Sequence, residues 1–316
     1  VDKVHFITGP IGGHEGPAAA QVSNETGVPL IMDPAGPDIV TKWNRVPTVV
    51  RTALSASQIG HPFGEYLYKE LGVRNATWIS QDYTWGHEVS LGAVRTYEAL
   101  GGKVAKIIWA PLGTADYGPL LGAIPEGTDG VVAVVVGADR IRLFEQWFNF
   151  GYDRKYKIYG QYWLHADVLP QLNDKAIGLM SKCLTYSPGI DTPENKAFVN
   201  AYAKKYKALP SWMAETAYTS ALWQKTAIEA IKGNVEDKQA FLQAVRKTKI
   251  VAPRGPLRLD EYDNPIQNVY VSKIAKIKHP VLGEVLTSIP IKTYTEVSQF
   301  WTWTPKEFLA GSPYKR

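Results

Sequence analysis

Short apolar runs alternate with longer stretches of helical period along the first half of this chain. Residues 4–8 predict a strand, 9–16 a glycine-rich corner, 17–26 an alanine-rich helix and 28–32 a second strand. The loop Asp33-Pro34-Ala35-Gly36-Pro37-Asp38 closes this strand–helix–strand unit. An irregular stretch, 39–50, and a short extended piece, 51–53, come next. The stripe Phe63, Tyr66, Leu67 and Leu71 then predicts a helix over 61–71, with Gly72 as its C-cap. A second alternating series has strands at 76–81, 103–109, 131–136 and 156–162 and helices at 87–100, 117–124 and 138–150. The run 131–136 is all Val and Ala, so it has no polar face and belongs inside a sheet covered on both sides. After a connector at 186–191, Thr192-Pro193-Glu194 is a helix start: an N-cap, a proline at the first helical position and an acid in the first turn. Helices over 194–209, 212–232 and 238–247 follow. A Pro/Gly-containing connector at 251–260, a turn at 262–264, a strand at 269–277 and an aromatic, turn-rich tail at 291–316 complete the pattern. Two strand–helix series predict an α/β protein with two parallel sheets, the chain crossing between two lobes more than once.

Composition narrows the function. The 316 residues suffice for two domains, and 45% hydrophobic with 21% charged content is that of a globular protein. The longest apolar run, 131–136, is far too short to span a bilayer. Val1-Asp2-Lys3 leads straight into the first strand, so any targeting segment is expected upstream or already removed. A net charge of +5 carried by scattered Lys and Arg argues against a nucleic-acid partner. The single Cys183 sits among apolar residues and reads as an inert buried thiol.

Enzyme signals are weak. The corner does not have the G-x-G-x-x-G spacing, and no P-loop or nucleophile elbow is present. His5, His14, His61, His87, His165 and His279 show no metal-ligand spacing, so neither cofactor nor metal is expected. The opening unit points instead to binding. Its corner sets backbone N–H groups at a helix start, where the dipole favours an anion, and its second loop leaves the carboxyl edge of the neighbouring strand, where open α/β sheets hold ligands. Trp85, Trp163, Trp212, Trp301 and Trp303 lie beside loops; they either fill cores or line a pocket for a flat guest.

The chain resembles the periplasmic solute-binding proteins of ABC transporters of the branched-chain amino-acid (Leu/Ile/Val-binding-protein-like) type. The matching pieces are Ile7-Thr8-Gly9-Pro10, Gly27-Val28-Pro29-Leu30-Ile31, Arg51-Thr52, Asp82-Tyr83-Thr84-Trp85-Gly86, Phe150-Gly151 and Val297-Ser298-Gln299-Phe300-Trp301, in family order along essentially the whole chain. The resemblance implies a type I periplasmic-binding-protein fold: two doubly wound parallel-sheet lobes joined by a three-strand hinge. Crossings are expected near 51–57, 186–191 and 252–260. One lobe would comprise 1–52 plus 190–254, and the other 53–189 plus 255–316. The family opens with two further strand–helix units, so an N-terminal extension of roughly 60–70 residues is expected. It also implies a periplasmic, monomeric receptor that docks on a membrane permease. A ligand-sensing regulatory domain on the same fold is the alternative.

Ligand positions implied by the resemblance are Gly12, Gly13 and His14 for a carboxylate, with a tight turn closing helix on sheet as the other reading of the glycines. Ala35, Gly36 and Pro37 match the second ligand loop, and Trp85 matches an aromatic lid. Tyr162 stands where the family has the glutamate that pairs a ligand ammonium. Without that carboxylate an amino acid is a poor guest. Tyr218 matches a ligand-facing tyrosine or is ordinary helix packing. Gly137 and Ala138 lie at a strand end, where Asp139 reads as a helix N-cap. Trp85, Tyr162, Trp163 and Tyr218 converging would suit an aromatic carboxylate rather than a branched-chain amino acid.

Overall fold

A computed structural model describes residues 3–314. Strand β1 (Ile7–Gly9) leads through the corner into helix α1 (Gly16–Thr26), then to β2 (Leu30–Met32), the single turn α2 (Asp38–Thr41) and β3 (Val49–Arg51). The three strands form a parallel sheet in the order β1-β2-β3. Next come α3 (Ala56–Lys69), β4 (Asn75–Gln81), α4 (Thr84–Ala99), β5 (Lys103–Ala110), α5 (Gly118–Gly122), β6 (Gly130–Val134), α6 (Asp139–Asn149), β7 (Lys157–Tyr162) and β8 (Met180–Leu184). Helices α7 (Pro193–Tyr206), α8 (Trp212–Ala230) and α9 (Lys238–Lys247) follow. The short strands β9 (Ile250–Ala252) and β10 (Gly255–Leu259) precede a long hairpin, β11 (Pro265–His279) and β12 (Gly283–Val297), and the chain ends with α10 (Pro305–Leu309). The second sheet runs β5-β4-β6-β7-β8-β11-β10-β9, with β12 paired to β11; β5, β4, β6 and β7 are mutually parallel.

Side-chain alternation decides which layer each residue joins. Leu30, Met32 and Val49 pack with Ala20 of α1 and Val40 of α2. Their neighbours Ile31 and Val50 point the other way, against Trp223, Ala227, Phe241 and Val245 of α8 and α9. In the larger sheet Trp78, Val132 and Val134 face Phe63, Leu67, Val89 and Tyr97 of α3 and α4. Ile79, Val131 and Ala133 face Leu143, Phe144 and Trp147 of α6. Each sheet is thus covered on both sides, giving two α/β lobes.

Helices α3 and α4 touch backbone to backbone. A Cβ on Gly60 would lie 2.5 Å from Val89 O, one on Gly64 2.2 Å from Ala93 O, and one on Gly92 2.8 Å from Ser57 Cβ. Only glycine allows that approach.

Three segments connect the lobes: the link from β3 to α3, the link from β8 to α7, and the β9–β10 turn. Arg254 in that turn donates to Thr52 O and, at 3.3 Å, to Glu215 on α8; both side chains are fully buried. Gln267 Nε2 donates to Ala53 O at 2.6 Å, and Ser187 Oγ to Ser288 O at 2.6 Å. Ala252 and Leu257 of β9 and β10 enter the core of the smaller sheet, so one ladder reaches from one lobe into the other.

Several elements depart from the sequence expectation. Helix α3 begins before residue 61, with extended Ser55 as its N-cap and the Ser55 amide donating to Gln58 Oε1 at 3.4 Å. Helix α4 begins at Thr84 rather than His87, with extended Tyr83 as its N-cap, which puts Trp85 in the first turn. Strand β8 was not expected, since Ser181 and Lys182 interrupt its apolar character. The Pro/Gly connector at 251–260 is the hairpin β9–β10, with Pro256 opposite Val251. The tail from 291 continues a strand as far as Val297.

Candidate ligand-binding site

Four helices start at the gap between the lobes: α1 after Gly12 and Gly13, α4 after Tyr83, α6 after Gly137 and α8 after Ser211. Residues beside all four starts line one cavity of about 220 Å³. Ligand pockets typically exceed about 300 Å³, so this one suits a small guest. Helix starts carry unpaired N–H groups and partial positive charge, and four converging on one space favour an anion there. The Gly12 amide already holds one carboxylate, donating to Glu15 Oε2 at 2.7 Å. The buried Gly13 amide has no acceptor among the described residues.

The walls are aromatic. Trp85 meets Tyr162 edge to face, with ring centres 5.2 Å apart, and Trp212 at 6.1 Å; Tyr162 and Trp212 are perpendicular at 6.3 Å. Tyr83 completes the lining on this side. Gly36 keeps the Trp85 ring in place, for a Cβ there would come within 2.9 Å of Trp85 Cζ3. Burial pushes the phenols of Tyr83 and Tyr162 up, so both are neutral donors.

The inner wall is charged and polar. Arg140, on the first turn of α6, pairs bidentately with Asp167 (Nη1–Oδ1 3.1 Å, Nη2–Oδ2 2.6 Å) and donates through Nε to Gly137 O at 3.1 Å. His165 stacks edge-on against Tyr162, 4.3 Å between centres, and its Nε2 is buried without a partner among the described residues. Burial, then the nearby Lys182 and Arg140 charges, hold this imidazole well below its usual pKa. Lys182 lies opposite Tyr162 in the β7–β8 ladder; its ammonium is fully buried and unpartnered among the described residues. Burial drives its pKa down to about 7, with Asp167 opposing and Arg140 adding to the shift.

The structure brings together five of the residues marked from sequence: Gly12, Gly13, Trp85, Gly137 and Tyr162. A Cβ built on Gly13 would sit 3.8 Å from Trp85 N, so corner and lid are neighbours. The other six lie outside the lining. His14 is exposed beside Gly12. Ala35 is in the core of the smaller sheet, and Pro37 is buried against Gly16 with its carbonyl accepting from Arg51 at 2.7 Å. From that loop Pro34 reaches the cavity, and Gly36 acts through Trp85. Trp163 is a correction: it follows Tyr162 in extended chain, faces the opposite layer and donates Nε1 to Arg140 O at 3.0 Å. Tyr218 is another: it lies more than a turn and a half beyond Trp212 on α8, half exposed, against Phe198 at 4.8 Å. Asp139 is in the first turn of α6 rather than its N-cap, accepting from Gln81 (2.6 Å), Gly113 N (2.8 Å) and Arg142 (2.7 Å).

Sequence reasoning missed Tyr83, Arg140, His165 and Asp167 as lining residues, and left Trp212 open between core and pocket. Tyr83 and Trp212 were legible beside helix starts, and Arg140 follows the strand-end glycine by one helical turn. His165 and Asp167 fall in an irregular loop with no periodic signal. Among the described residues no group of three or more His, Cys, Asp or Glu is placed to hold a metal.

A family model described as "Periplasmic binding protein" matches residues 1–278. The chain is 28% identical over 292 residues to a Leu/Ile/Val-binding protein homolog 6 of Brucella abortus, covering 87% of this chain and 71% of the relative. Among solved structures it is similar to an ABC transporter substrate-binding protein from Sphaerobacter thermophilus (TM-score 0.87, 27% identity, 94% of this chain and 81% of that one). It is also similar to a solute-binding protein of an ABC transporter from Rhodopseudomonas palustris BisB5 in complex with 3,4-dihydroxybenzoic acid (TM-score 0.85, 27% identity, 94% and 80%).

Proposed function

This chain belongs to the periplasmic binding protein family, among the solute-binding proteins of ABC transporters, and from that premise we propose that its ligand is a small aromatic carboxylate. The observation that carries the reading is the lining of the cavity. Four aromatic side chains, Tyr83, Trp85, Tyr162 and Trp212, line a space under four helix starts, and Asp167, the one carboxylate among the described lining residues, is already paired with Arg140. A ligand ammonium would have to compete with that guanidinium. An aromatic ring finds faces and edges at Trp85, Tyr162 and Trp212, while its carboxylate has the Gly13 amide and the helix dipoles. The dihydroxybenzoate bound by the Rhodopseudomonas protein supports the same class.

In this reading the lobes, 1–52 plus 190–254 and 53–189 plus 255–316, close about the three connecting segments. The closed form docks on a membrane permease from the periplasmic side, and the ligand acts by preferring that form. A second reading, a branched-chain amino acid, is favoured by the name of the Brucella relative and by the partial exposure of Asp167, at 45%. Calorimetric titration with benzoate, 4-hydroxybenzoate, leucine and valine separates the two. Binding of the benzoates alone is the expected result; binding of leucine or valine alone would overturn the proposal.

A further inference from the structure

The cavity wall contains one ion pair, and its two members are unequally exposed. The Arg140 side chain is 10% exposed and that of Asp167 45%, and both line the space. The guanidinium gives Nε to Gly137 O and both terminal nitrogens to Asp167. Among the described residues no other carboxylate pairs with it, for Asp139, next to it in the chain, pairs with Arg142 at 2.7 Å. His165 is held neutral by burial, and Lys182 is fully buried and outside the lining. The described lining therefore carries one formal charge of each sign, and they cancel. An ion pair with a half-exposed member adds little to stability. Its larger effect falls on the cavity, where it takes up the one positive side chain that a guest could reach.

We infer that Asp167 sets the charge of the guest: by occupying Arg140 it restricts the site to aromatic acids with a single negative charge and turns away dicarboxylates. The inference rests on the aromatic-carboxylate reading above. One carboxylate is served by the helix starts. A second would meet Asp167 as a like charge and find no free cation, after shedding its water to enter. With Asp167 uncharged, the same group would find two guanidinium nitrogens in the fork that Asp167 now fills. Hydrogen bonds between charged groups of this kind correspond to about tenfold or more in affinity.

The test sets each dicarboxylate against a singly charged acid of the same shape: terephthalate against 4-nitrobenzoate, and isophthalate against 3-nitrobenzoate. Calorimetry is run on the wild-type chain, on Asp167→Asn and on the double variant Arg140→Gln with Asp167→Asn. The wild type is expected to favour at least one nitrobenzoate over its dicarboxylate partner by about tenfold or more. That ratio should fall to one or invert in Asp167→Asn, and return in the double variant, because the gain acts through Arg140. The wild-type ratio needs no variant to fold, and a ratio is not moved by a general loosening of the site. Equal wild-type affinities within both pairs, rejection of nitrobenzoates and dicarboxylates alike, or an unchanged ratio in Asp167→Asn would overturn the role of Asp167; benzoate binding would still leave the aromatic-carboxylate reading standing. Leucine bound by the wild type and lost in Asp167→Asn, with no response to benzoate, would overturn both.

Discussion

Trp85 is the residue on which both halves of the cavity close, held by Gly36 on one side and facing Tyr162 and Trp212 on the other. Trp85→Ala is expected to lower affinity for a benzoate by about tenfold or more, since a ring contact is worth about 0.5–1.5 kcal/mol beyond its buried area. Calorimetry on folded variant checks this. Two buried charges give opposite pH signatures. Burial raises Asp33 from 3.8 to about 7, with Arg254 opposing and Glu215 reinforcing the shift. Between those values the folded chain holds a proton the unfolded chain has released, so this group makes stability fall as pH rises through the window. Lys182 is lowered from 10.5 to about 7; there the unfolded chain holds the extra proton, and stability rises with pH from about 7 towards 10.5. Melting temperatures across pH should show Asp33→Asn flattening the acidic window and Lys182→Met the alkaline one. Legibility at this scale follows how a side chain reaches the site. Gly13 and Trp85 sit beside loop-to-helix junctions that the sequence displays. Trp163 misled because adjacent extended residues cannot share a face, and His165 has no pattern around it at all.

Among elements, α8 has the most varied duties. Its start lines the cavity, Glu215 in its first turn meets Arg254, and Trp223 further along fills the core of the smaller sheet. Burial raises the Glu215 carboxyl, and Arg254 opposes that rise. Removing one partner leaves the other charge buried and uncompensated, so Arg254→Met is expected to cost about 3–5 kcal/mol in urea unfolding. Replacing both, as Arg254→Met with Glu215→Leu, should recover much of that loss. Strands and helices with a clear period were legible from their residues: α9 matches its expected bounds, and the all-apolar β6 is buried throughout. Strand β8 and the β9–β10 hairpin were not. Strand β8 depends on pairing with the distant β11, which overrides its central lysine, whereas β9–β10 is a local hairpin whose two prolines and glycine mask the strand signal. Helices α3 and α4 begin earlier than their apolar stripes indicate, directly after the extended residues Ser55 and Tyr83.

At the scale of the whole molecule, three buried connections joining two lobes predict motion about a short axis. Small-angle scattering should show a smaller radius of gyration on adding a benzoate that binds; an unchanged radius would count against closure. At 100 times its Kd the same ligand should add about 2.7 kcal/mol to stability, visible as a rise in melting temperature. The two-lobe plan was legible because strand–helix alternation and the family resemblance agreed. The β9–β10 hairpin running into the smaller lobe was not, because Pro253, Gly255 and Pro256 read as a connector. The glycine contacts between α3 and α4 have a final consequence. With main chains touching at Gly60, Gly64 and Gly92, neither cylinder can roll or slide past the other without a clash, so the backbone that bears Trp85 is expected to move together with α3. A displacement of the start of α4 should carry both helices as one slab of the receptor. A fluorophore on exposed Lys69→Cys, far along α3 and unobscured by the buried Cys183, should therefore report guest capture as a change in its distance from a second dye on α9.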